Sequence, residues 1–269
     1  MIIEWNVHMF SADVKRYPFH AQASYRPAPD SLEDDPLAGY QKRMLEVGID
    51  RAVLVQPEPY GDDHSLLLAC LQRDPQRLKG TSLFYPKDPR APEKLAALVR
   101  REPRIVSTRF HAHRGKEEYL DSFADPGVRA LWKAAADLGL VVELHIGPDY
   151  AEQAADAIRA FPNTPVLIDH LAEPHMGDAV EFAHVLELSK LSNVYMKLSG
   201  LSHFAQDEPL FLSAQPFTRW VVDAFGPDRL VWGEGTPKVV DAHLSEYSET
   251  DRRKVKGETL ARLLNWTER

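Results

Sequence analysis

Val166-Leu-Ile-Asp-His-Leu-Ala-Glu-Pro174 is a short apolar run that ends in a histidine and then breaks at a proline. A run of this length reads as a strand buried on both faces, covered by helices on either side. Val141-Val-Glu-Leu-His145-Ile-Gly-Pro148 repeats the device, and Ile2-Ile-Glu-Trp-Asn-Val-His8 is a third version at the N-terminus. Each places a titratable ring where an apolar strand stops, which is where parallel α/β folds build their active sites.

Working outward, strand-like runs recur at 2–8, 51–56, 80–85, 105–110, 141–146, 166–170, 194–198 and 230–232, eight in all. Stretches with apolar residues at helical spacing lie between them, at 37–47, 91–99, 128–138, 150–161, 179–188 and 217–225. The order is β then α, repeated. With 269 residues, the expectation is one (β/α)8 TIM-barrel domain over 1–269, a fold that typically needs about 250 residues. Gly48, Gly139 and Gly226 each follow a helical pattern, as helix ends prefer. The pairs Asp35-Pro36, Asp88-Pro89 and Asp125-Pro126 stand just ahead of helical stretches, where Asp can cap and Pro suits the first turn. Irregular segments at 11–36, 111–124 and 201–215 each follow a strand's C-terminal end and are expected to wall or cover a pocket. The stretch 248–266 reads as a closing helix.

Lys plus Arg number 32 against 40 Asp plus Glu, a net charge of -8 that argues against nucleic acid or an anionic membrane as partner. A small-molecule substrate is the better expectation. The single cysteine, Cys70, lies in an apolar helical pattern, so no intramolecular disulfide can form and a cytoplasmic setting is expected. Its plain role is that of a small buried hydrophobe. The chain begins Met1-Ile-Ile without a basic leader, and nowhere do about 18 apolar residues run together.

Alternate strand residues share a face, which groups Glu4 with Asn6 and His8, and Glu143 with His145. In a closed barrel His8, His145 and His170 converge from strands one, five and six. Three imidazoles suffice for a zinc-like divalent metal with one open position for water. Any one of these histidines alone is more often a hydrogen-bonded core residue; three at strand ends favour a site. No phosphate-binding loop, dinucleotide-binding glycine turn or nucleophile elbow occurs, so no organic cofactor is expected.

At this point the chain resembles the amidohydrolase-related (amidohydrolase 2) metal-dependent hydrolases, in the branch of dicarboxylate and sugar lactonases. Ile3-Glu-Trp-Asn-Val-His8-Met-Phe10 is similar to the family's first-strand Asp-x-His-x-His, and Val53-Leu-Val-Gln-Pro57 with Tyr60-Gly-Asp-Asp63 to its second-strand segment. Val166 to Pro174 resembles the sixth-strand histidine motif, and Val194-Tyr-Met-Lys-Leu-Ser-Gly-Leu201 the seventh strand. Trp232-Gly-Glu-Gly-Thr-Pro237 stands where the family has Trp-Gly-Ser-Asp-x-Pro. The departures are Glu4 for the first-strand Asp, Asn6 for its first metal histidine and Gly235 for the strand-eight aspartate, usually ligand and general base.

The resemblance carries over His8, His145 and His170 as metal or catalytic residues. Glu234 becomes the candidate base if the backbone twists near its flanking glycines, and Glu4 a partner orienting a histidine. Arg109 resembles the family's strand-four arginine and would grip a substrate carboxylate, with His111, His113 and Arg114 on the same rim; an internal salt bridge with Glu143 or Glu173 is its alternative. Asn6, Tyr60 and Lys197 join the substrate-binding candidates, Lys197 pairing instead with Glu143 or Glu234 in its other reading. Trp5 and Phe10 would be aromatic walls. His20 and His203 are outer candidates, and His64, His175, His184 and His243 are expected to be mostly solvated.

The expected function is hydrolysis of a lactone or similar carbonyl ester in a small acidic or sugar-acid molecule, with weak or no metal assistance given the depleted ligands. Nonoxidative decarboxylation of an aromatic or muconate-type acid is the competitor, and a ligand-binding barrel without catalysis is another. Barrels of this kind often form homo-oligomers, and no stretch marks an interface.

Overall fold

The computed structural model describes residues 1–21, 23–112 and 119–266. Its strands are β1 Ile3–Val7, β2 Arg51–Val55, β3 Leu78–Leu83, β4 Ile105–His111, β5 Val141–His145, β6 Val166–Ile168, β7 Val194–Leu198 and β8 Leu230–Trp232. They pair in parallel in sequence order, and β8 lies beside β1, so the sheet curls into the expected (β/α)8 barrel. Around it run α1 Pro36–Val47, α2 Ser65–Arg73, α3 Ala91–Arg101, α4 Pro126–Asp137, α5 Ala151–Ala160, α6 Ala179–Glu187, α7 Gln215–Phe225 and α8 Lys238–His243.

Local chemistry explains several boundaries. Asp35 accepts a hydrogen bond from the Ala38 backbone N–H at 3.0 Å and Pro36 opens α1, while Gly48 ends it in the left-handed region. Asp125 precedes α4 without capping it, because its carboxylate accepts from the Ser122 N–H instead. The expected closing helix is divided: α9 Glu249–Arg253 and α10 Thr259–Leu263 flank a wide turn over Lys254–Glu258.

Two apolar layers result. Ile3, Trp5, Val53, Val55, Val141, Leu167 and Val231 fill the barrel interior, and Leu260, Leu264 and Trp266 join the same cluster. A larger layer lies between strands and helices, where α2 buries Leu66, Leu67, Leu68, Cys70 and Leu71. Burial pushes the Cys70 thiol up to about 11, which leaves it a packing residue as expected. Trp5 is packing too, since it sits wholly inside the barrel and walls no pocket. No helix among the described residues is long and apolar enough to cross a membrane.

Two histidines expected in solvent are buried. His243 joins Thr218 Oγ1 (2.9 Å) to the Leu210 carbonyl (2.8 Å), and His64 Nε2 accepts from the Leu83 N–H at 3.1 Å. Their neighbours, not their sequence, bury them. Burial lowers His64 from 6.5 to about 4, so the unfolded chain binds a proton first as pH falls. Stability conferred by neutral His64 is complete above pH 6.5 and declines toward pH 4, by about 3 kcal/mol in all. Urea midpoints across that window should fall more steeply with acid in the parent than in His64→Gln.

Candidate active site

The strand ends deliver their side chains to one cavity. His8 follows β1, Arg109 lies near the end of β4, His145 ends β5, and His170 stands two residues beyond β6. These four, with Asn6, Phe10, His203 and Glu234, line a cavity of about 300 Å³. Tyr25, Pro27 and Ser31, from the long segment between β1 and α1, complete it, as a wall of that loop was expected to do. The three predicted histidines therefore share one mouth.

Backbone geometry at β6 sets two of the groups. His170, Leu171, Ala172 and Glu173 all have φ between 48 and 59°, a left-handed turn of residues that rarely adopt it. Each such residue costs about 1–2 kcal/mol, and such strain gathers at functional sites. Hydrogen bonds from Ala172 N to Asp169 O (2.8 Å) and from Glu173 N to His170 O (2.9 Å) hold the turn. Gly200 packs against the His170 ring so closely that a Cβ would stand 2.6 Å from it. Nothing in the sequence announces this turn, which is why β6 was expected to run on to His170.

Partners fix the tautomers. His8 Nδ1 lies 3.0 Å from the Val55 carbonyl, so Nδ1 carries the proton and Nε2 keeps its lone pair. His170 Nε2 faces an Arg109 N–H at 3.4 Å and must accept, leaving Nδ1 to donate to Ser199 Oγ at 2.8 Å. His145 Nε2 donates to Glu173 Oε1 at 2.8 Å, and its Nδ1 meets His111 Nδ1 at 3.1 Å. Burial, reinforced by Arg109, lowers His8 to about 3 and outweighs the Glu173 contact to lower His145 to about 4. Burial, then His145 and Arg109, likewise hold His170 well below its ordinary value. All three rings are neutral near pH 7.

Beneath them lies a buried ionic floor. Lys197 Nζ binds Glu143 Oε1 at 2.7 Å and Asp169 Oδ1 at 2.6 Å. Arg109 Nε donates to Asp169 Oδ2 at 2.7 Å and lies 3.4 Å from Glu143 Oε1, an approach set by the register that places Arg109 opposite Glu143. Trp5 Nε1 donates to Glu143 Oε2 at 2.9 Å. Burial alone would raise the Asp169 carboxyl, but Arg109 and Lys197 outweigh it and hold it below its ordinary value. Burial raises Glu143, although all of its partners are donors suited to the carboxylate.

Several expected roles shift accordingly. Arg109 does line the cavity, yet its guanidinium is engaged by Glu143, one of the two partners its salt-bridge alternative named, and by Asp169, which that alternative did not name. Lys197 is fully buried in the floor and absent from the cavity lining. Tyr60 supports the wall from behind: its hydroxyl accepts from Ser11 N–H at 3.0 Å and its ring packs on Phe10 and Phe19. His111 touches His145 and Tyr119 rather than the cavity. Glu4 orients no histidine. The β1–β2 register shifts between Trp5 and Val7, breaking the alternation that grouped Glu4 with Asn6 and His8, and Glu4 binds Arg43 and Tyr40 of α1. His113 and Arg114 lie outside the described residues.

Glu234 does reach the cavity. β8 stops at Trp232, so strand alternation no longer governs it, and Gly235 turns the chain with φ 80°. Its Oε2 accepts from Asn6 Nδ2 at 2.5 Å and its Oε1 from the Gly200 N–H at 2.6 Å.

Glu173 was not foreseen as a site residue. It receives His145 and also His203, whose Nδ1 lies 2.9 Å from both carboxylate oxygens. Burial would raise its pKa, but these two imidazoles lower it to about 2. Asp169 was not singled out either, although it shares the inward parity of Leu167.

Donor atoms of His145, His170 and Glu173 lie within 4.8 Å of one another, the group among the described residues that suits an ion. Two imidazoles and a carboxylate match a catalytic zinc set, and an ion would replace the proton shared by His145 and Glu173. The donor set fits a divalent metal. It includes Glu173 where His8 was expected.

The chain is 29% identical over 233 residues to a 4-sulfomuconolactone hydrolase of Hydrogenophaga intermedia, covering 86% of this chain and 72% of that protein. It is 28% identical over 245 residues to an L-fucono-1,5-lactonase of Burkholderia ambifaria, covering 89% and 80%. Among solved structures, one from Acinetobacter baumannii described as a probable 2-pyrone-4,6-dicarboxylic acid hydrolase, with citric acid bound, superposes with a TM-score of 0.79 at 20% identity, covering 98% of this chain and 99% of that one. That last likeness is one of fold. A family model described as Amidohydrolase matches residues 5–266, and the chain belongs to the amidohydrolase family.

Proposed function

We propose that the protein hydrolyses a lactone of a small acid or sugar acid in the cavity lined by His8, His145, His170 and Glu234. The observation that carries this reading is the meeting of three neutral strand-end imidazoles and one carboxylate around a single cavity. The two curated relatives named for lactone hydrolysis support it.

Glu234 is the base. A carboxylate offers about four acceptor positions, so the Asn6 and Gly200 donors aim its oxygens without consuming them. Water hydrogen-bonded to it loses a proton to Glu234 as the oxygen attacks the ring carbonyl. His8 presents its Nε2 lone pair and orients that water, while Arg109 N–H groups beside His170 stabilise charge growing on the carbonyl oxygen. The ring C–O bond then breaks, the alkoxide takes a proton back, and a hydroxy acid leaves. A divalent ion held by His145, His170 and Glu173 would polarise the carbonyl and lower the pKa of water. In that assignment His203 and Ser199 position Glu173 and His170.

The test is titration at constant pH with a panel of lactones. Alkali uptake matched to ring opening is expected. Carbon dioxide release from an aromatic or muconate-type acid, with every lactone untouched, would replace the hydrolase reading by the decarboxylase one.

A further inference from the structure

A second cavity, of about 350 Å³, adjoins the first and shares Asn6 and Glu234 with it. Leu198, Leu201, Phe211 and Val239 give it apolar sides, and the Glu4–Arg43 pair lies at its border. Its charge pattern is informative. Arg43 is bound in two places by Glu4, at 2.6 and 2.9 Å, and also donates to the Gly235 carbonyl. Arg109, in the neighbouring cavity, is likewise matched by Asp169 and Glu143. Glu234 and Glu208, by contrast, are carboxylates on the lining that form no ion pair among the described residues.

The shared wall also offers an unused acceptor. Asn6 is 8% exposed, and because its Nδ2 donates to Glu234, its Oδ1 is the other atom of the amide. That Oδ1 is buried and has no hydrogen-bond partner among the described residues. Because Asn6 lines both cavities, a donor from a bound ligand can satisfy that acceptor. A hydroxyl supplies one, whereas a carboxylate supplies none and would meet Glu234 and Glu208 with like charge.

The geometry points to this second cavity as the subsite for an uncharged, hydroxylated arm of the substrate. The inference rests on the lactonase reading and sharpens it: the preferred substrate is a neutral aldonolactone, its ring against the histidines and its hydroxyalkyl arm across Asn6, rather than a lactone bearing a carboxylate or sulfonate arm. Contact between the arm's hydroxyl and Asn6 Oδ1 sets specificity.

The experiment compares kcat/KM of the full chain for a neutral aldonolactone with a hydroxyalkyl arm, for bare valerolactone, and for a lactone with a carboxylate arm. The neutral armed lactone should exceed each of the others by about tenfold to a hundredfold. Ser202→Trp, at an exposed position on the cavity's edge, should cut the armed-to-bare ratio by about tenfold, with its melting temperature checked against the parent. Hydrolysis of all three lactones with the carboxylate arm preferred, or with no gain from the neutral arm, overturns the subsite and leaves the hydrolase reading standing. Failure of every lactone to open overturns both.

Discussion

Glu234→Gln is expected to lower kcat/KM for lactone opening by about a hundredfold to ten-thousandfold, the range that removal of a general base produces. Glutamine keeps the length of the side chain and an oxygen for the Asn6 amide. It lacks the basicity to take a proton from water, and one of its ends must now face the Gly200 N–H or the Asn6 N–H with an N–H of its own. Because Glu234 is partly exposed, the melting temperature should move by no more than a few degrees, the shift expected for about 1 kcal/mol. Alkali uptake at constant pH measures the rate and calorimetry the fold. A variant that turns over at parental speed would remove Glu234 from the chemistry.

Lys197→Met carries the largest expected effect on stability. Lys197 is fully buried and holds Glu143 and Asp169 at 2.7 and 2.6 Å. Methionine fills the space but leaves those carboxylates with Arg109 as their nearest remaining cation. Breaking one partner out of a buried ionic group costs about 3–5 kcal/mol. The denaturant midpoint should fall accordingly, and the drop should shrink at low pH, where a carboxylate can take up a proton. A loss below about 1 kcal/mol, typical of a surface pair, would mean that the floor is not held by this lysine.

The contrast between these two residues shows what sequence alone can convey. Apolar runs separated by helical spacing identified all eight strands, because burial on two faces leaves an unmistakable composition. Histidines at strand ends were equally legible, since barrel closure forces such positions to a common mouth. Finer placement failed where geometry depends on the partner strand. The register shift in β1 left Glu4 bound to Arg43 and Tyr40 of α1 and outside the cavity that His8 lines. The left-handed turn after β6, made without glycine or asparagine, carried Glu173 to His145 and His203. Lys197 and Arg109 carried two readings each, as substrate contact or as ion-pair partner of residues that included Glu143; the barrel's interior pairs both with Glu143 and Asp169, and of the two only Arg109 also lines the cavity. Conversely Glu234, which strict alternation would have turned away, enters the cavity because β8 ends two residues before it.

The central claim is that chemistry occurs where the strand-end imidazoles meet. A crystal structure of Glu234→Gln soaked with a neutral aldonolactone tests it most directly. Electron density for the ring is expected within hydrogen-bonding distance of His8 and Arg109, with the arm reaching past Asn6. Density for the lactone elsewhere, such as the apolar groove between α6 and α7 beside Trp220, with the histidine-lined cavity holding only water, would contradict it.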